Sequence, residues 1–574
     1  MSLLDKASLI LTPNAVKESK VYSIIPSNGN GDLTFTRATT ATLTNNAGLI
    51  ETVPYNLLTY SEQFDNASFW TNLIGGTGVN PTRTANTVVS PNGTLTADTI
   101  VLNRGVGNTI TDQSTISQLV NIIGIDLYTF SFWVKATSIS DVGKQIFIRT
   151  GNSSVLSPIT LTENWVRYML TNNITIGNLG SNIFQIGNRG PFTNSNSVSV
   201  DIWGAQLVQG SVPKDYFFTT DRLNVPRLNY DSVGGCPSLL LEPQRTNLFL
   251  NSVWAGGGSV PTSWSSGVPT GTATPVTSIK NPNVTAYRFV ASTQRIEFSQ
   301  NISLVLNSVT CLSVYVESIT TAITVNNMLR FSATTGTGNS VFLKNNIVIN
   351  GATNIEAGNT YSLQFTVTLA DSFTIRVGAG SLGNVTCNFV LSMPQLEQGA
   401  SSIASYSTSF IPTTTTALTR NTDVITRNNI YTNNLITSAG GTWFIELNNV
   451  FERIRDNSSY ALFLSTTLNG FGGNGFIIYN GTSNSIRLQI IKFVEGIATG
   501  VYNINTNNIK LAIKWNGVTA DIFANEVKVV ASTPFTSTSM QFLGNGIMPV
   551  PLNIKSMLLF PTPLTDAECI ALTQ

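Results

Sequence analysis

The chain has 574 residues, 42% of them hydrophobic and only 11% charged, with a formal net charge of +1. Globular domains usually carry about 25% charged residues, so Asn, Thr and Ser supply the surface polarity here, and the apolar content separates the chain from disordered sequences. The near-neutral balance gives no field that would draw nucleic acid or an anionic membrane; the absence of histidine removes the commonest general base, the Ser-His-Asp and Cys-His systems and most zinc sites.

A chain of this length predicts several domains. Residues 1–54 hold two apolar patches, ASLIL and VYSII, without enough patterned strands for a core of their own. They predict an extended attachment or assembly segment that buries VYSII against something else. Thr12, Pro13 and Asn14 interrupt ASLIL, which makes a poor signal peptide, and the sequence has no run of 18 apolar residues for a membrane span. Cys236, Cys311, Cys387 and Cys569 are far apart with no CxxC spacing. That pattern predicts synthesis in a reducing cytoplasm and mostly buried free thiols.

Residues 55–220 form the first patterned block. It opens with YNLLTYSEQF, which places Asn56-Leu57-Leu58 before an aromatic run, and closes on VDIWGAQLVQG, with Gln206-Leu207-Val208-Gln209-Gly210. Inside it, YTFSFWVKA alternates Tyr128, Phe130, Phe132 and Val134 against Thr129, Ser131, Trp133 and Lys135, as a half-buried strand does. A Thr-, Pro- and Arg-rich stretch, 221–245, reads as a linker, although SLLLEP is too apolar to stand in solvent. Residues 246–410 repeat the plan. TNLFLNSVW opens with Asn247-Leu248-Phe249, FVLSMPQLEQG closes with Gln395-Leu396-Glu397-Gln398-Gly399, and the two Asn-to-Gln spans are nearly equal. Matching openings, closings and lengths identify a duplicated domain. A second linker, 411–434, leads to a block at 435–574 whose strand-length runs are punctuated by Asn-Gly and Gly-Gly pairs. Asn516-Gly517 is a strong hairpin signal, and PLTDAECIALTQ predicts a short helix capped by Thr565 with Glu568 three residues on. The fold class is therefore all-β: tandem antiparallel β-sandwiches of jelly-roll type behind an extended N-terminal segment.

Catalytic signatures are missing. Glu452 and Asp456 in FERIRDNSS do not match the Glu-x-Asp-x-x-Glu of a sandwich glycosidase, and GGTGVN and AGGGSVP lack the Lys and helix context of a phosphate cradle. No catalytic residue and no metal-ligand set is assigned. Calcium is the single ion for which loop oxygens offer candidates, at Asp456, Asn457 and Asn474. A glycan platform needs exposed rings. Trp254 and Trp264, which flank the Gly- and Pro-rich AGGGSVPTS, are the candidates, together with Phe69 and Trp70 at the matching place in the first block.

The last block, with its KWNG hairpin and LTDAE ending, resembles concanavalin-A-like or laminin-G-like domains. The first two resemble carbohydrate-binding-module jelly rolls, which commonly open on Asn-Leu. The layout of FTRATTATLTNNAGLIETVPYN, SLLLEPQRTNLFL and SFIPTTTTALTRNTDV resembles virion proteins of tailed bacteriophages, especially fibre and appendage proteins. The resemblance implies a non-enzymatic tail or head fibre or appendage, located in the virion and contributing to host-surface glycan attachment. Its implied partners are other virion proteins and sister subunits, in a homo-oligomer and most often a trimer. A bacterial carbohydrate-binding or adhesin protein is the alternative; a polysaccharide hydrolase or lyase ranks below it.

Overall fold

The computed structural model describes residues 2–122, 124, 126–152, 156–175, 178–231, 233–256, 258–266, 271–332, 337–368, 372–380, 383–399, 406–448, 460–468, 473–480, 488–494, 497–504, 508–545 and 552–574. The fold is all-β, built of antiparallel sheets, and it divides into two compact units. One comprises Pro54–Arg222 with Pro282–Thr285; the other comprises Met1–Val53, Leu223–Asn281 and Ala286–Gln574.

The first unit is a jelly roll of two five-stranded sheets. One sheet has the spatial order Val166–Ile174, Asp126–Ala136, Ser197–Gln209, Ala97–Asn103, Thr82–Val88; the other runs Leu156–Thr160, Gln145–Thr150, Gly180–Arg189, Gln113–Ile122, Thr71–Gly75. Alternation in Asp126–Ala136 points Tyr128, Phe130, Phe132 and Val134 into the core, where they meet Ile146, Phe184 and Leu207. Each such side chain contributes about 1.5–3 kcal/mol on burial.

The second unit contains the duplicate. Its sheet Asn359–Val367, Val309–Thr321, Val385–Gly399, Thr285–Gln294, Thr272–Thr277 repeats the first jelly roll's order strand for strand. On the opposite face Leu329–Ser332, Ser372–Ala379, Ile296–Ser303, Ser265–Ser266 repeats four of the five strands, with no equivalent of Leu156–Thr160 among the described residues. The hairpin Thr337–Lys344/Ile347–Ile349 extends the first of these sheets beyond Asn359–Val367, whereas the matching sheet of the first jelly roll ends at Val166–Ile174.

The same unit ends in the C-terminal sandwich, and here the expected boundaries are corrected. Residues 1–54 are not a separate segment. Leu9–Leu11 pairs with Leu552–Phe560, and Leu33–Thr36 pairs with Val424–Arg427. Leu9, Leu11, Val21, Leu33 and Phe35 all join the core of the C-terminal sandwich. The stretch 221–245 is likewise strand as well as linker: Ser238–Leu241 lies beside Leu552–Phe560, with Leu239 and Leu241 fully buried. The ASLIL patch and Val21 of VYSII thus help complete the sandwich of their own chain, while Ile24 and Ile25 stay exposed. Asn516-Gly517 turns between Ile509–Trp515 and Thr519–Ala524, with Gly517 at φ +78°. Asp566–Leu572 is a helix closed by the Thr565–Glu568 capping box.

Candidate functional site

Both jelly rolls close on the same knot of side-chain amides. Asn56 Oδ1 accepts the backbone N–H groups of Leu58 and Leu207 at 3.1 Å, while its Nδ2 donates to the carbonyls of Ala205 and Phe217. In the duplicate, Asn247 Oδ1 accepts from Phe249 at 3.2 Å and Leu396 at 3.1 Å, and Nδ2 donates to the Ile411 carbonyl at 2.8 Å. Gln206 Oε1 accepts from the N–H of Phe217 and its Nε2 donates to the Lys214 carbonyl; Gln395 repeats this with Ile411 and Thr408. An amide combines a donor and an acceptor on one planar group. This explains why the opening Asn and the first Gln of Gln-Leu-x-Gln-Gly recur together: they fasten the first segment, the last strand and the chain that follows it.

The knot also sets a residue-by-residue correspondence on the outward face of the last strand. Ser131 pairs with Gln206 and Trp133 with Trp203; Ser313 pairs with Gln395 and Tyr315 with Ser392, across the same β-bulge. The bulge needs a left-handed residue, which is Gly204 at φ +66° in the first copy and Met393 at φ +53° in the second. In the first copy the outward face is filled. Trp133 and Trp203 lie 5.1 Å apart by ring centroid, Tyr216 lies 4.6 Å from Trp203 at a tilt of 55°, and the Arg167 guanidinium sits 4.2 Å over Trp133. The positions equivalent to Trp133, Trp203, Tyr216 and Arg167 hold Tyr315, Ser392, Phe410 and Thr360, each smaller than its counterpart.

Beside these residues the second copy has an open cleft of about 520 Å³, lined by Tyr315, Met393, Gln395, Thr360 and Phe410. The inserted hairpin adds Asn345, Asn346 and Ile347; Thr44, Ile50, Asn229 and Asp231 come from chain segments outside the jelly roll. The hairpin turn is clipped to the cleft wall, because Asn346 Nδ2 donates to the Ser407 carbonyl and its Oδ1 accepts from the Ser407 N–H, both at 2.9 Å. Burial, reinforced by the charge of Glu317, pushes the Tyr315 hydroxyl pKa up, so the phenol stays protonated and able to donate.

Glu242 also lines the cleft and joins it to a buried ionic clasp. Asp423 accepts from Arg37 at 2.7 Å and from Arg227; Glu242 accepts from Arg227 at 2.7 Å and faces Arg420 at 3.0 Å. The side chains of Arg37, Arg227, Arg420 and Asp423 are almost wholly removed from solvent. Burial works against the charge of Glu242, but Arg420 and Arg227 overcome it and hold the carboxyl at about 2. Burial dominates at Arg37, whose pKa falls to about 10. A carboxylate gripped by two guanidinium groups stays ionised near neutral pH and acts as a structural acceptor.

The aromatic residues singled out from sequence lie elsewhere, and three of the four are core. Trp70 and Trp254 are 0% exposed and Trp264 is 7% exposed. The Trp264 indole donates to the Asn251 carbonyl and the Trp70 indole to the Tyr60 carbonyl, so both rings plug the jelly-roll openings instead of facing a ligand. Trp254 packs against Trp264, Tyr287 and Phe298. Phe69 is 38% exposed and leans on Tyr60, with no second exposed ring in contact among the described residues. Of the calcium candidates, Asp456 and Asn457 lie outside the described residues, as does Glu452. Among the described residues no group of three His, Cys, Asp or Glu side chains is placed to hold a metal. The cleft residues had a signal in the two closing strands: WGAQLVQG against SMPQLEQG exchanges Trp203-Gly204 for Ser392-Met393.

No family model matches the chain, and no curated protein does. Among solved structures, the enzymatically active domain of bacteriophage CBA120 tailspike protein 4 matches at 16% identity over 27% of this chain, with a TM-score of 0.21; the match spans 22% of that structure. The ANX1 ectodomain from Arabidopsis thaliana matches at 8% identity over 60% of this chain and 93% of its own, with a TM-score of 0.18. Trypanosoma rangeli sialidase matches at 9% identity over 94% of this chain and 98% of its own, again at 0.18. Overlays at these scores establish no shared fold with any of the three.

Proposed function

We propose that this chain is a non-enzymatic structural protein of a tailed-phage virion, a fibre or appendage that contributes to attachment on host-surface glycans. One observation carries the reading. The segments that resemble phage appendage proteins in sequence, around Arg37, Ser238 to Leu250 and Ser409 to Val424, contribute Arg37, Glu242, Arg420 and Asp423 to the buried clasp and also line the cleft. The resemblance therefore bears on the framework of the molecule and not on its surface decoration. Of the two carboxylates in the described cleft lining, Glu242 is held by Arg227 and Arg420, which suits binding more than hydrolysis. Sister subunits, three in the commonest fibre arrangement, and other virion proteins are the partners this reading assigns.

The experiment is immunogold labelling of purified particles with antibody to the chain, combined with native mass and with reducing-end assays on host polysaccharides. Labelling at one virion location, a trimeric mass and no released reducing ends are expected. A chain absent from particles overturns the virion role. A monomer free and on particles overturns the assembly, and carboxylate-dependent release of reducing ends overturns the non-enzymatic assignment.

A further inference from the structure

We infer that the cleft beside Tyr315 is the ligand site of this protein and that it takes a short, uncharged oligosaccharide. The inference rests on the glycan-attachment reading above and names its site and sugar class.

Duplication provides the comparison. Two copies of one domain share a knot, a bulge and a strand order, yet one copy fills its outward face with two indoles, a phenol and a guanidinium while the other leaves it open. Four positions shrink together, from Trp133, Trp203, Tyr216 and Arg167 to Tyr315, Ser392, Phe410 and Thr360. At the same bulge Gly204 gives way to Met393, which keeps a left-handed backbone that glycine adopts without strain. A side chain retained against that cost, buried at the cleft wall, fits a site in which backbone strain is part of the construction. The hairpin carrying Asn345 and Asn346 extends the sheet of the open copy alone, and it forms a wall of the cleft.

The chemistry of the wall selects the ligand. A volume of about 520 Å³ falls in the range of roughly 300–1,000 Å³ common to small-ligand sites. Asn, Gln, Ser and Thr side chains dominate the lining, with Tyr315 and Phe410 supplying ring surface, the combination that meets sugar hydroxyls and the apolar face of a pyranose. Asp231 and Glu242 are the charged residues of the lining, which has no Lys or Arg. The cation over the Tyr315 ring, Lys280, donates to the Gly48 carbonyl at 2.6 Å. An acidic sugar would therefore find no lining cation to pair with among the described residues, which disfavours it. A bound cation is disfavoured too, because Glu242 is already engaged by Arg227 and Arg420.

The test is binding of the full chain to neutral and to acidic host-derived oligosaccharides, with three variants whose folding is checked by thermal unfolding. Ser392→Trp restores the indole of the filled copy. Tyr315→Ala removes a half-exposed ring without filling the cleft, and so serves if the first variant misfolds. Phe69→Ala alters the exposed ring of the other jelly roll. Neutral oligosaccharides are expected to bind, with Ser392→Trp and Tyr315→Ala each weakening affinity at least about tenfold and Phe69→Ala leaving it unchanged. If neutral sugars bind and both cleft variants bind normally, or if Phe69→Ala abolishes binding, the site assignment is wrong. Preference for acidic sugars overturns the sugar class. Failure to bind any glycan overturns both the site and the attachment reading.

Discussion

Replacing Asp423 by Ala removes one carboxylate from a place where three arginines converge, and the structure sets the size of the effect. Asp423 is fully buried; its Oδ1 accepts from Arg37 at 2.7 Å, and its Oδ2 accepts from Arg227 and from the Glu242 N–H at 2.8 Å. After the substitution Arg227 keeps Glu242 as a partner, while Arg37 retains only the Thr39 and Val225 carbonyls. Breaking a buried pair by removing one side leaves an uncompensated charge and costs about 3–5 kcal/mol. Asp423→Asn retains an acceptor and should lose less. Urea unfolding followed by hydrogen exchange and mass spectrometry measures this unit by unit. Amides of the C-terminal sandwich and second jelly roll should lose protection, while those of Pro54–Arg222 keep theirs. A loss below about 1 kcal/mol, or an equal loss in both units, would refute the claim that the clasp holds the larger unit together.

The acid limb of stability should follow Glu242. Its folded pKa of about 2 lies below the ordinary 4.5, so the contribution is complete above 4.5 and disappears as pH falls from there toward 2. It amounts to on the order of 3 kcal/mol, and Glu397, whose pKa burial raises, acts in the opposite sense as pH rises; urea midpoints of wild type and Glu242→Gln across pH 3–7 read the difference. Asn56→Ala and Asn247→Ala should destabilise their own jelly rolls to a similar extent, each by about 2–4 kcal/mol for the buried groups left unpaired, as shown by denaturant melts of the two units; a neutral effect at either site would dissolve the equivalence. Excising residues 54–222 should leave the larger unit folded, because the Ala41–Thr44 and Ile50–Val53 hairpin and Arg227 meet at Thr42, whereas deleting residues 1–53 should unfold the C-terminal sandwich; limited proteolysis distinguishes the two.

Much of the fold is legible in the sequence because strands with one buried face write their period directly. Tyr128 to Val134, the Asn516-Gly517 turn and the Thr565 cap all lie where local chemistry places them. The pairing of Leu9–Leu11 with Leu552–Phe560 is not legible, since nothing local to either strand encodes a partner so distant in the chain. The same holds for Arg37 and Asp423, which read as ordinary linker polarity until the topology brings them together. The aromatic platform failed for another reason. Gly and Pro around Trp254 and Trp264 mark a loop correctly, but a loop at a sandwich opening can fold its rings inward as a plug. Conversely, Tyr315 sits in a run that reads as plain alternating strand, and only Trp133 of the first copy shows what is missing around it.

The pairing of Leu9–Leu11 with Leu552–Phe560 also imposes an order of events during synthesis. At about 5–20 residues per second, the ribosome needs on the order of a minute to deliver the partner strand after the first has emerged. Through that interval Leu9, Ile10 and Leu11 have no sheet to join, while the whole of Pro54–Arg222 is already available to fold. A strand made before the whole of Pro54–Arg222 is thus satisfied long after it. Its exposure is longest when translation is slow, so the yield of soluble protein should respond to elongation rate and to chaperones that cover short apolar segments, even where the finished molecule is stable.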